Sequence, residues 1–100
     1  MRSYPRSRKD GTHVAIRDAL REVGCRVDDV SSVAGLGYDL VVWTAGDGGR
    51  RAYAVEVKDG SKRPSARRLT ESELRMAITR PEHFRVVSSV GEALALMGGR

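Results

Sequence analysis

Two apolar runs, YDLVVWT (38–44) and RRAYAVEVK (50–58), flank the pentapeptide AGDGG, and this arrangement constrains the chain more than any other feature in it. Both runs are rich in Val and aromatic residues, which suit a pleated half-buried surface, and AGDGG supplies turn residues between them. They read as the two strands of a hairpin. Strand side chains alternate, so Val55 and Val57 point to one face while Glu56 and Lys58 share the other. Asp39 lies at the start of the first strand. Closing the hairpin at AGDGG therefore sets Asp39 beside Glu56 and Lys58.

The rest of the chain supplies elements to pack on that hairpin. Ile16, Ala19, Leu20 and Val23 recur at helical spacing, with Asp10 or Thr12 as N-cap and Gly24 as the stop. CRVDDVSSV reads as a first strand ended by the glycines of AGLG. After the hairpin, Thr70 and Glu73 form a capping box, and Leu74, Ala77 and Ile78 form the buried stripe of a second helix that stops before Pro81. HFRVV is a short strand. Ser89 with Glu92 makes a second capping box, opening a helix whose Val90, Ala93, Leu94 and Met97 face inward. The order is α-β-β-β-α-β-α, an α/β fold. The β-α-β unit makes the last strand parallel to the third, giving a four-stranded mixed sheet flanked by helices. A chain of 100 residues has room for one such domain, 10–100, behind a flexible basic arm, 1–9.

A formal charge of +5, carried mostly by Arg, favours a polyanionic partner, because the guanidinium fork matches phosphate oxygens. The basic residues gather at Arg2, Arg6, Arg8 and Lys9, and again at Lys62, Arg63, Arg67 and Arg68 just after the acid-lysine strand. These two groups are the expected nucleic-acid contacts, a solvated basic surface being the plain alternative. Cys25 is the single cysteine and reads as a small buried hydrophobe, which excludes an intramolecular disulfide. No apolar leader or membrane-length run is present, and a cytoplasmic location is expected. The two histidines have no zinc-ligand spacing. His13 reads as solvent-exposed, with phosphate contact as its functional alternative, Tyr38 as a possible DNA contact, and Trp43 and Tyr53 as packing residues.

Neighbouring carboxylates that are partly buried repel one another and are costly to desolvate. A hard divalent cation relieves both effects. Mg²⁺ or Mn²⁺ takes oxygen ligands such as Asp39, Glu56 and the Val57 backbone carbonyl offer, polarises a phosphodiester and lowers the pKa of a bound water. Lys58 is then expected to orient that water and offset charge in the transition state; the plain alternative is a pair of rim acids with Lys58 salt-bridged to one of them.

With these residues in place, the chain resembles the PD-(D/E)xK nucleases, and among them the small stand-alone VRR-NUC-type enzymes of phages and bacteria. The likeness runs from HVAIRDALREVGCRV through GLGYDLVVW and AVEVKDGSKRPSARRLTESE to VVSSVGEALALM. It implies a restriction-endonuclease-like core, a Mg²⁺- or Mn²⁺-dependent endonuclease, branched DNA such as a Holliday junction as substrate, and a homodimer. Asp39 and Glu56 take the place of metal ligands and Lys58 that of the catalytic lysine. Tyr38 stands where the family usually has Pro, helix one lacks the common acid or amide in its first turns, and Glu73 occupies a helix-two position where related sequences often carry Gln. The competing reading is a nuclease fold that binds DNA or protein without cutting.

Overall fold

A computed structural model describes residues 11–44, 50–60 and 68–98. The elements are α1 (Gly11–Glu22), β1 (Arg26–Asp29), β2 (Leu40–Trp43), β3 (Ala52–Val57), α2 (Glu71–Thr79), β4 (Phe84–Val87) and α3 (Val90–Leu94), the last continued by a 3₁₀ turn, Ala95–Gly98. The sheet order is β1-β2-β3-β4, antiparallel across the first two pairings and parallel between β3 and β4. This is the mixed sheet expected from the sequence. Among the described residues no helix is long and apolar enough to cross a membrane. The arm 1–9, the AGDGG turn, and Lys62, Arg63 and Arg67 lie outside the described residues.

Helix α1 ends where the sequence places its stop. Gly24 has φ +101°, its N–H donates to the Arg21 carbonyl, and the Cys25 N–H reaches back to that of Leu20. That pair of bonds is a Schellman ending, which requires the left-handed conformation glycine adopts freely. Ile16 and Leu20 are fully buried, whereas Val23 is half exposed, because the chain has already left the helix axis there. Thr12 falls within the helix and is not its N-cap.

The alternation of the strands sorts the sheet into two unlike faces. Val27, Leu40, Val42, Tyr53, Val55, Val57 and Val87 form one, and they close with Ile16, Leu20 and Ala93 into the core under α1 and α3. Burying five such side chains completely, Ile16, Leu20, Leu40, Val42 and Val55, contributes on the order of 10 kcal/mol of transfer free energy before entropy is set against it. Cys25 is buried at the rim of this core, its Sγ 3.0 Å from the Met97 sulfur. Arg26, Asp28, Val41, Trp43, Ala52, Ala54, Glu56, Phe84 and Val86 take the opposite face by the same register. On that side α2 lies against β4.

Three expectations need correction. The first strand is only Arg26–Asp29: the Val30 N–H still bonds to the Asp39 carbonyl in the β1–β2 register, and the chain then turns, the Val33 N–H bonding to the Val30 carbonyl. Leu74 and Ile78 are not a buried stripe but stand 50% and 70% exposed, and Glu73 is the buried residue of α2. The second capping box is half formed. Ser89 Oγ accepts the Glu92 N–H, but the Glu92 carboxylate takes the Ser88 N–H at 2.6 Å.

Candidate active site

The hairpin register brings the acids together through an irregularity. Leu40 pairs with Val55, yet the N–H of Asp39 also donates to the Val55 carbonyl at 2.8 Å. Two residues of one strand thus answer a single residue of the other, the arrangement of a β-bulge, which bends a strand and re-aims a side chain. The Asp39 carboxylate takes the place of a main-chain acceptor, its Oδ2 receiving the Val57 N–H at 3.0 Å. Its carbonyl accepts from Val30. Asp39 is therefore held by main-chain bonds to β3 and to the loop after β1.

Glu56, on the next strand, is only 6% exposed. Burial, then the charge of Asp39, then Glu73 push its pKa up to about 9. Lys58 reaches across this group, with Nζ 3.6 Å from Glu56 Oε2 and 2.9 Å from Glu73 Oε1. Burial works against the lysine's charge, but the hydrogen bond to Glu73 and the nearby carboxylates hold its pKa above the ordinary value. Glu73 moves the other way. Despite its burial, Lys58 and the Thr70 N–H keep it on the ionised side of the usual range. The acid pair is thus divided by environment, Glu56 favouring its proton and Glu73 its charge.

Glu73 owes its place to the local sequence of α2. Thr70 Oγ1 accepts the Glu73 N–H, and Glu73 Oε1 accepts the Thr70 N–H at 2.9 Å, completing the capping box. The same oxygen that caps the helix also holds Lys58.

Asp39, Glu56 and Glu73 line one cleft of about 180 Å³, walled by the 31–38 loop and the start of α2. Tyr38 lines it as well and is half buried. The loop approaches α2 so closely at Gly37 that a Cβ there would sit 2.5 Å from the Ser72 carbonyl oxygen, and Gly37 has φ +87°. Only glycine meets both conditions without displacement.

His13 corrects another expectation: it is buried, not solvent-exposed. Its Nε2 lies 3.2 Å from Asp29 Oδ2, while Asp29 Oδ1 accepts the Ser31 hydroxyl at 2.6 Å and the Ser31 N–H at 3.1 Å. Burial opposes the Asp29 charge, but Ser31 and His13 together keep its carboxyl well below the usual range. Ser31 also lines the cleft, so this cluster fastens one cleft wall to α1. Sequence reasoning missed Asp29 and Ser31. The available signal was Asp followed two residues later by Ser at a strand end, the spacing of an Asx-turn.

Of the expected DNA contacts, Arg68 is described and is exposed. Trp43 is half exposed rather than packed inside, and its Nε1–H donates to Asp28 Oδ2 at 3.0 Å.

The donor set suits a hard cation with few protein ligands. Among the described residues, no group of three or more His, Cys, Asp and Glu stands ready to hold a metal. Two carboxylates and a carbonyl are nevertheless what Mg²⁺ commonly takes alongside waters and phosphate oxygens. The N–H groups of Ala54 and Lys58 point to β4, bonding the His83 and Val87 carbonyls. By alternation, the Val57 carbonyl points toward β2, on the side of Asp39.

Comparison with known families agrees with this geometry at the level of the superfamily. The family described as "Protein NO VEIN, C-terminal" matches residues 13–93, which takes in most of α1, the whole sheet, α2 and most of α3. No curated protein and no solved structure matches the chain. The match carries the nuclease-like fold and does not single out the VRR-NUC branch. The chain belongs to the NO VEIN C-terminal family, a nuclease-like family related to the PD-(D/E)xK enzymes.

Proposed function

We propose that this protein is a metal-dependent endonuclease that hydrolyses DNA phosphodiester bonds. The observation that carries the reading is the convergence of Asp39, Glu56 and Lys58 at the bulged end of the hairpin, with Lys58 3.6 Å from Glu56 and Asp39 fixed by the Val57 N–H. Asp39, Glu56 and the Val57 carbonyl would hold Mg²⁺ or Mn²⁺. Bound there, the ion supplies Lewis acidity toward a phosphoryl oxygen and a water of lowered pKa. Lys58 keeps its ammonium at the site, donates to the water or to a non-bridging oxygen, and offsets the negative charge that develops. Glu73 steadies that ammonium. The basic residues of the arm and of 62–68 hold the phosphate backbone, so recognition is led by shape and charge.

Branched DNA is the substrate we favour, because a single small domain with an open cleft does not enclose a duplex. Paired cuts on a junction call for two such sites, hence a two-fold dimer. Incubating the protein with four-way junctions, flaps and supercoiled plasmid, in Mg²⁺, Mn²⁺ or EDTA, tests the reading. Cleavage should require metal and fall to the EDTA level in Asp39→Asn and Glu56→Gln. Lys58→Ala should cost on the order of 100- to 1,000-fold. Survival of every substrate with the parent protein would favour the second reading, a binding module that does not cut. That reading draws on the absence of any acid in the first turn of α1.

A further inference from the structure

The sheet face that carries Glu56 continues past the cleft to an aromatic residue beside arginines. Arg26, Trp43 and Ala52 lie side by side across β1, β2 and β3, and Val41 and Ala54 lie between that row and Glu56. The small side chains of Ala52 and Ala54 keep the intervening floor low. At its far end a cleft of about 580 Å³ is lined by Trp43 with Arg26, Arg50 and Arg51. The indole is 47% exposed, and its N–H is tied to Asp28, which fixes the ring's orientation. Arg26 Nε sits 3.2 Å from the same carboxylate while its side chain stays 76% exposed. One oriented, half-exposed aromatic ring thus shares a cleft with Arg26 and Arg50 and stands beside one carboxylate.

We infer that this patch is a second nucleic-acid contact, where Trp43 stacks on a base and Arg26 and Arg50 hold the adjoining phosphates of a strand running from the active site. An oriented ring beside arginines selects a polyanion that carries π-faces, which distinguishes nucleic acid from an apolar protein surface. The inference rests on the nuclease reading for the position of the scissile phosphate. From Ala52 to Glu56 is four residues of strand, or about 13 Å, the rise of roughly four nucleotides along a duplex. A single strand is at least as extended as one strand of a duplex, so the stacked base lies within about four nucleotides of the cut.

Trp43 is the only tryptophan in the chain, so tryptophan emission, excited selectively over tyrosine, reports on this patch alone. Titrating the protein with a single-stranded 12-mer in EDTA should quench that emission. In anisotropy with a labelled 12-mer, Trp43→Ala should bind roughly five- to 150-fold more weakly, with Trp43→Phe recovering part of the loss. Arg26→Ala and Arg50→Ala should each lower the salt slope of binding by about one or less. Thermal melts of Trp43→Phe confirm that the fold is kept. Binding that leaves the emission unchanged and is indifferent to both Trp43 variants would overturn the inference. The two readings fail separately: cleavage without a Trp43 response removes only this contact, and quenching without cleavage by the parent removes only the nuclease.

Discussion

Oε1 of Glu73 accepts the Thr70 N–H and the Lys58 ammonium, each at 2.9 Å, so helix capping and lysine placement depend on one atom. Substitution can separate the two. Glu73→Gln keeps a carbonyl oxygen for Thr70 and a neutral acceptor for Lys58, and it should melt near the parent and retain much of its activity. Glu73→Ala loses the cap, costing about 1 kcal/mol, and leaves Lys58 with Glu56 alone. It should cut roughly 10- to 100-fold more slowly, as outer-shell losses commonly do. Thermal melts beside plasmid-nicking rates measure both effects; equal rates in the two variants would leave Glu73 as a cap only. Asp29 gives a different test, through pH. Its carboxyl faces His13, Ser31 and, at 3.6 Å, Arg17, and its pKa is lowered in the fold. A lowered folded pKa contributes stability that is fully present above the unfolded value of about 3.9 and is lost as pH falls below it toward the folded value. Asp29→Asn should therefore cost about 1–3 kcal/mol at pH 7, and the gap to the parent should narrow as acid is added. Melting both proteins across pH 7 to 3 would show it.

Helix α2 shows why an amphipathic pattern locates an element better than it orients one. Leu74, Ala77 and Ile78 have the spacing of a buried stripe, but Glu73 is the buried side chain, and neighbours on a helix point about 100° apart. Turning Leu74 inward would draw Glu73 away from Lys58 and from Thr70, so the polar anchor sets the rotation and Leu74 and Ile78 remain exposed. The hairpin was easier to read. A period of two, glycines at the turn and acids at the open end fix its pairing locally, and the bulge at Asp39 shifts that pattern by only one residue. The link from His13 to Asp29 joins residues 16 apart on separate elements, and no local periodicity encodes it. The 31–38 loop yields a paired prediction. Gly35 and Gly37 both have positive φ, but a Cβ on Gly35 meets nothing within 4 Å, while one on Gly37 meets the Ser72 backbone. Gly35→Ala should cost about 1 kcal/mol from conformation alone, and Gly37→Ala at least about 2 kcal/mol. At roughly 4–8 °C per kcal/mol for a domain of this size, calorimetry separates them readily. Equal melting temperatures would mean that the loop does not press on α2.

Across the described residues, the sheet keeps most of its hydrophobic burial on one face and the Glu56–Glu73 cluster on the other. The core under α1 and α3 supplies burial, while Asp39, Glu56 and Glu73 crowd one cleft with Lys58 as the cation paired to two of them. Such crowding works against the folded state, and a divalent cation held there, as proposed above, would relieve it, so metal binding and global stability should be linked. A ligand that binds only the folded form at 100 times its Kd adds about 2.7 kcal/mol, or roughly 10–20 °C in a domain of this size. Mn²⁺ should raise the melting temperature by that order, and EDTA should reverse it. Asp39→Asn can still accept the Val57 N–H through its amide oxygen, so it should melt near the parent without metal yet lose the Mn²⁺ shift. Glu56→Gln removes the carboxyl that burial and Asp39 disfavour. It should melt slightly higher than the parent without metal, by about 1 kcal/mol, and should also fail to respond to Mn²⁺. A parent protein with no Mn²⁺ shift, or a Glu56→Gln variant that keeps it, would remove the metal from this cleft whatever the nicking assays gave. Scanning calorimetry of the three proteins with and without Mn²⁺ therefore tests the candidate site independently of any choice of DNA substrate.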